Sequence, residues 1–202
     1  MDGHHEKIKK YSLASFGIFA VFAALGLVFN YLNPEEATLF FNRIADEFAF
    51  VEDLDFLGIF LFIFINNTIS IVVGTFLGVL FAVLPILFLA INGFIIGLVA
   101  GYVYPTMGGF GLFASLAPHG VFELLALFIG SGIGIHLGLL AINEIKEGVL
   151  TPKEVLTSVR NRKFPSPKIK EAYKIAFDLF LIVVLPLLFL AAAIEALLIS
   201  FL

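Results

Sequence analysis

The chain has 202 residues, 60% of them hydrophobic and 14% charged, with a mean hydropathy of +1.06 and a formal net charge of −4. A water-soluble domain, at roughly 45–50% apolar and about 25% charged residues, is excluded. The absence of cysteine excludes a disulfide framework and a thiolate metal site, and nothing in the charge balance calls for a nucleic-acid partner.

Apolar runs long enough to cross a bilayer, about 20 residues each, recur along the whole chain. The composition therefore predicts one all-α integral membrane domain over residues 1–202. The first run, SLASFGIFAVFAALGLVFNYL (12–32), follows the basic stretch KIKKY. It is too long for a signal-peptide core and has no small-x-small exit, so it reads as the first transmembrane helix. The next segment, 33–55, carries seven carboxylates against a single cation, Arg43. Within it Phe41, Ile44, Phe48 and Val51 recur at helical spacing, and Pro34 suits a helix start. The spacing predicts a short amphipathic helix over 35–51 on the membrane surface, either a solvated connector with one apolar face or a partner-binding element.

Residues 56–104 are almost unbroken apolar sequence, too long for one span and right for two. Proline removes a backbone donor, so the break is expected near Pro85, giving spans at 56–84 and 86–104. The glycine-rich YPTMGGFG (104–111) predicts a turn. A short apolar piece, LFASLA, then precedes a fourth span at 118–142 and reads as a re-entrant or surface segment. Residues 143–174 are the one loop of soluble character, and 175–202 form the fifth span, with Pro186 as a kink point. Of the 12 Lys and Arg, eight lie in 143–174 and three (Lys7, Lys9, Lys10) precede the first span. The positive-inside rule makes both basic segments cytoplasmic. The acidic 33–55 segment and the C-terminus are then outside, a parity that five spans satisfy and six do not.

Two sets of residues inside the spans carry information. Gly74 and Gly78, then Gly93, Gly97 and Gly101, then Gly130, Gly134 and Gly138 repeat every four residues on single helix faces. In lipid such stripes let backbones approach closely. They predict that the second, third and fourth spans form the tight centre, within one subunit or between copies in a homo-oligomer. The 25 phenylalanines read as packing and lipid-facing bulk. The second set is polar: Asn66, Asn67, Asn92, His119, Glu123, His136 and Glu195. Ionisable groups at membrane depth cost about 2.5–3.5 kcal/mol even on insertion scales.

His119 and Glu123 share a helix face at i, i+4, with Pro118 in the first turn. The helix dipole disfavours a charged His119 there. The pair can fasten helices, relay a proton or bind a divalent metal, although two ligands alone make a weak metal signal. Glu195 lies about 27 Å up its own helix from Phe177, level with that pair: either the three form one outer-leaflet cluster, or Glu195 is a solvated residue near the outer rim. His136, about 25 Å from His119 along the same helix, belongs at the cytoplasmic end. No nucleotide-binding loop, catalytic triad pattern or zinc-protease helix occurs in the sequence.

Taken together, FINNTISIVVGTFLGVL, PILFLAINGFIIG, LAPHGVFELLALFIGSGIGIHLG and AAAIEA resemble the stage II sporulation protein M family over about residues 60–200. Asn66-Asn67, Asn92-Gly93, His119-Gly120, Glu123 and Glu195 match the positions of that family's polar motifs. The resemblance implies a multi-pass membrane protein. In spore formers it implies a role in engulfment, holding peptidoglycan-degrading partners at the septal membrane. The sequence thus leads to a non-enzymatic membrane scaffold or assembly factor with cell-envelope partners. The alternative is an ion- or proton-coupled transporter using His119, Glu123 and Glu195, and a third reading is an intramembrane metal-dependent hydrolase.

Overall fold

In a computed structural model the backbone is described for residues 2–161 and 163–201. The side chains of residues 2, 45, 48, 52, 53, 106, 112–119 and 201 lie outside the described set. Among the described residues all regular structure is helical: α1 (Asp2–Leu32), α2 (Pro34–Phe48), α3 (Phe56–Phe76), α4 (Val83–Lys146), α5 (Pro152–Arg160), α6 (Pro167–Leu179) and α7 (Leu185–Phe201). Five stretches are long and apolar enough to cross a membrane: Gly3–Leu32, Phe56–Val79, Val83–Pro105, Gly120–Lys146 and Pro167–Ser200. The molecule is a five-span helical membrane bundle, the class that the composition predicts.

Several boundaries differ from the expected ones, each for a local reason. The first helix starts at Asp2 rather than at residue 12, so the basic segment belongs to it. Ile8 is buried there against Ile133, Leu137, Leu150, Val155 and Ile169, which supplies the reason for helix so close to the terminus. This packing also sets the basic N-terminal turn and the basic segment 143–174 at one end of the bundle.

The break between the second and third spans falls at 80–82, not at Pro85. α3 ends at Phe76, tightens into a 3-10 turn at Leu77–Val79, and reverses through Phe81 (φ 60°) and Ala82 (φ 59°). Left-handed backbone at a residue with a Cβ costs about 1–2 kcal/mol, and sequence alone points to no such turn. Ala82 is held in place by burial and by the missing side chain of Gly138, whose Cβ would lie 2.2 Å from the Ala82 nitrogen. Pro85 sits inside the first turn of α4, where its lack of an N–H costs nothing.

α4 has 64 residues, about 96 Å if straight, far more than a bilayer needs. It folds back on itself at Gly108 (φ 66°, ψ −178°), a conformation that glycine alone adopts readily. Pro85 lies beside Gly134 and Ala82 beside Gly138, so the two halves run antiparallel, and the midpoint of both pairings falls just after Gly108. The turn expected over 104–111 therefore narrows to one residue. The backbone of LFASLA (112–117), expected as a re-entrant piece, is helix continuous with the fourth span.

The segment expected as a loop, 143–174, contains α5 and the start of α6. Thr151 and Glu154 form a capping box: the Thr151 hydroxyl accepts from the Glu154 amide (3.3 Å), and the Glu154 carboxylate accepts from the Thr151 amide (2.7 Å). These bonds hold the Glu154 carboxyl below its ordinary pKa. The last span begins at Pro167 rather than at residue 175 and passes through a π-helical turn, Phe180–Val184, just before Pro186. Such a turn accommodates the hydrogen bond that proline cannot make.

The centre of the bundle is the fourth span. Buried residues make up 67% of its most apolar stretch, against 17–28% in the other four. Its glycines meet the second span: a Cβ on Gly78 would lie 2.3 Å from the Gly134 carbonyl oxygen, and one on Gly130 would lie 2.5 Å from Ile71. The third span differs. Gly93, Gly97 and Gly101 face α1, where added Cβ atoms would meet Phe19, Ala23 and Asn30 at 2.5, 2.0 and 2.7 Å. Gly74 opposes the ring of Phe88. The glycine stripes are thus used within one chain, which leaves the expected homo-oligomer without that support, and α1 joins the tight centre.

At the basic end, Glu144 is 2% exposed and accepts a hydrogen bond from the hydroxyl of Ser166, which also caps α6 by accepting from the Ile169 amide (3.2 Å). Nothing in the sequence distinguishes this carboxylate from its solvated neighbours. Ser166→Ala removes both a cap and the partner of a buried acceptor. It should cost about 2–3 kcal/mol in thermal unfolding of the detergent-solubilised protein. A loss under about 0.5 kcal/mol would show that Glu144 is satisfied in another way.

Candidate functional site: a polar pocket inside the bundle

The second span and both halves of α4 enclose a pocket of about 180 Å³, room for several water molecules. Helical periodicity builds its walls. Asn67, Ser70, Ile71 and Gly74 recur along one face of α3, and Phe88, Ile91 and Asn92 along the first half of α4. Glu123, Leu127 and Ser131 lie four residues apart along the second half. Asn66 and Ile91 are exposed, whereas Thr75 and Ser131 are buried, so the pocket runs inward from a rim to a closed floor.

Local hydrogen bonds fix what the pocket presents. The Asn92 amide nitrogen donates to the Phe88 carbonyl (2.8 Å), leaving its amide oxygen as the acceptor it offers. Ser70 donates to the Asn66 carbonyl (2.9 Å) on its own helix. Thr75 donates to the Gly130 carbonyl (3.1 Å) across to the fourth span, a bond made possible by the close backbone approach at Gly130. Glycine and hydroxyl thus serve one purpose, holding α3 against the fourth span at the pocket floor. Among the described residues the polar lining consists of amides, hydroxyls and the Glu123 carboxylate. An oxygen-rich set of this kind suits a hard cation or a small hydrogen-bonding solute.

Of the residues singled out in the sequence, Asn66, Asn67, Asn92 and Glu123 converge here. Ser70, Thr75 and Ser131 were not singled out, because hydroxyls in spans commonly bond their own helix and carry no sequence signal. The side chain of His119 lies outside the described residues. Glu195 is not among the residues lining the pocket. Its neighbours Ala192 and Ala196 are buried with Val51, Ile59 and Ile63 near the start of α3, the end of the bundle that carries the acidic segment. Among the described residues, the structure thus brings Glu123 together with three asparagines rather than with Glu195 at this pocket. Among the described residues no three His, Asp or Glu side chains gather as a metal site would require. His136, at the opposite end, pairs with His4 (2.8 Å between Nε2 and Nδ1) and stacks on Tyr11. Nothing in the sequence selected His4 as its partner.

Five apolar spans around an internal polar pocket define a multi-pass α-helical membrane protein with an intramembrane site. The chain belongs to the stage II sporulation protein M family, whose profile matches residues 15–198. That match reaches into all five spans and takes in every described residue that lines the pocket. Neither the curated proteins nor the solved structures give a significant match.

Proposed function

We propose that the pocket holds a small monovalent cation and that the protein is an ion-coupled membrane transporter. The observation that supports this reading is the convergence of Glu123 with Asn66, Asn67 and Asn92 on one pocket between three spans. Ionisable side chains inside membrane spans mark ion and proton paths. Beside Glu123 a monovalent cation brings one positive charge, less than a divalent ion adds to a medium of low dielectric. The amide and hydroxyl oxygens supply neutral ligands around that pair. The scaffold reading keeps the family resemblance, but the glycine stripes that favoured it are occupied by packing within the chain.

A thermal-unfolding series in detergent tests the binding step, with lithium, sodium, potassium or rubidium chloride exchanged for choline chloride at constant ionic strength. One alkali cation should raise the midpoint in proportion to the logarithm of its concentration, as expected for a ligand bound to the folded state alone. Identical midpoints in every salt would remove the cation.

In this reading the basic end of the bundle is cytoplasmic and the acidic end external, following the distribution of Lys and Arg. Single cysteines introduced at Asp53 and Lys163 should react with impermeant reagents from opposite faces of sealed vesicles. Labelling of both from one face would refute that topology.

A further inference from the structure

A second cavity lies at the basic end, away from the pocket. A groove of about 620 Å³ is lined by Phe76, Phe164, Tyr173, Phe177, Lys170 and Lys174, together with Pro167 and Glu171. It continues into a second recess of about 290 Å³ that shares Phe76, Phe164 and Tyr173 and adds Lys163. The floor is aromatic and built: Tyr173 packs on Phe76 and Phe164 with ring centroids 6.1 and 5.3 Å away, and its hydroxyl donates to the Phe76 carbonyl. That carbonyl belongs to the last residue of α3, where the helix tightens into the 3-10 turn Leu77–Val79.

Three features give this groove a direction. Phe76 and Phe177 belong to membrane spans, so the apolar floor lies at bilayer level. Phe164 and Phe177 are exposed, 51% and 54%, on a surface otherwise rich in charge. Lys163, Lys170 and Lys174 are exposed around it, and none of them is paired with a carboxylate among the described residues, where the one ion pair is Lys168–Glu147 (3.6 Å). Lys170 and Lys174 are four residues apart on α6 and so stand on one face. Three ammonium groups against the single Glu171 carboxylate, above an aromatic trough at the membrane boundary, complement an anionic headgroup joined to an acyl chain.

We propose that this groove is a binding site for an anionic phospholipid of the surrounding bilayer. Its acyl chain lies along Phe76, Phe164 and Phe177, and its phosphate lies among Lys163, Lys170 and Lys174. A zwitterionic lipid offers the same chain but brings a choline cation against the lysines. Each lysine near such a surface contributes roughly a fivefold preference for the anionic lipid.

The chain contains no tryptophan, so Phe164→Trp in the full-length protein places a single fluorescent reporter in the groove. The protein is reconstituted in phosphatidylcholine vesicles with equal mole fractions of brominated phosphatidylglycerol or brominated phosphatidylcholine as quencher. Brominated phosphatidylglycerol should quench at least fivefold more strongly. Adding K170Q and K174Q should abolish the difference, while Lys153→Gln, on α5 outside the groove, should leave it intact. Native mass spectrometry of the unsubstituted protein gives a second reading independent of the reporter, with phosphatidylglycerol retained preferentially over phosphatidylcholine. Equal quenching by the two lipids, selectivity that survives K170Q/K174Q, or no preferential retention would each overturn the site.

Discussion

Alanine at Gly134 should destabilise the bundle by about 3 kcal/mol, the upper range for overpacking a filled interior. A Cβ there would lie 2.5 Å from the Gly74 carbonyl oxygen and about 3.1 Å from the Pro85 ring, so the fourth span would be wedged from both neighbours at once. Neither obstacle is the far end of a flexible side chain, and relief requires two helices to separate. Gly97→Ala should act similarly through another contact, because its Cβ would meet the Ala23 carbonyl oxygen at 2.0 Å and push α1 off the third span. Gly17, with nothing within 4 Å of an added Cβ, is the internal control, and Gly17→Ala should change stability by less than about 0.5 kcal/mol. Thermal unfolding of the three variants in detergent separates them. Equal tolerance at all three positions would mean that the helices are not in backbone contact.

Glu123→Gln should abolish the cation response while leaving the fold in place. Glutamine keeps the shape and the hydrogen-bonding capacity of the side chain and removes its charge. Losing the charged partner of a desolvated ion costs about 3–5 kcal/mol, so affinity for the cation should fall at least a hundredfold. Uptake of that cation into proteoliposomes should fall with it. Asn92→Leu withdraws one neutral oxygen and should cost less, about tenfold, in line with about 1–1.5 kcal/mol for one hydrogen-bonding group. A Glu123→Gln variant with unchanged affinity and flux would move the site elsewhere.

How far the sequence reaches depends on what each feature needs. The spans were legible because hydropathy and length alone define them, and the glycine stripes because four-residue spacing selects a helix face. The partners of those stripes were not: nothing local to Gly93, Gly97 and Gly101 says that they meet α1 rather than the second or fourth span. The break at Phe81 and Ala82 was invisible, since neither residue type favours left-handed backbone. A distant glycine, Gly138, clears the space that the turn occupies. For the same reason the polar pocket was half legible. Asn66, Asn67, Asn92 and Glu123 stood out by their cost in a membrane, but their convergence depends on the fold-back at Gly108, which brings Asn92 level with Leu127. Axial height along separate helices suggested Glu195 as a companion. Height fixes a level only, and Glu195 is not among the residues that line the pocket. Glu144 and Ser166 escaped notice because they lie in a segment whose composition looks solvated, although the chain there folds back under the bundle.

The most direct test of the cation site is anomalous diffraction from crystals of the full-length protein grown with rubidium or thallium(I) in place of sodium and potassium. One anomalous peak is expected inside the pocket, among Asn67, Asn92 and Glu123, and it should be lost in Glu123→Gln crystals grown in the same way. A pocket without that peak at saturating ion, or a peak that persists in Glu123→Gln, would contradict it.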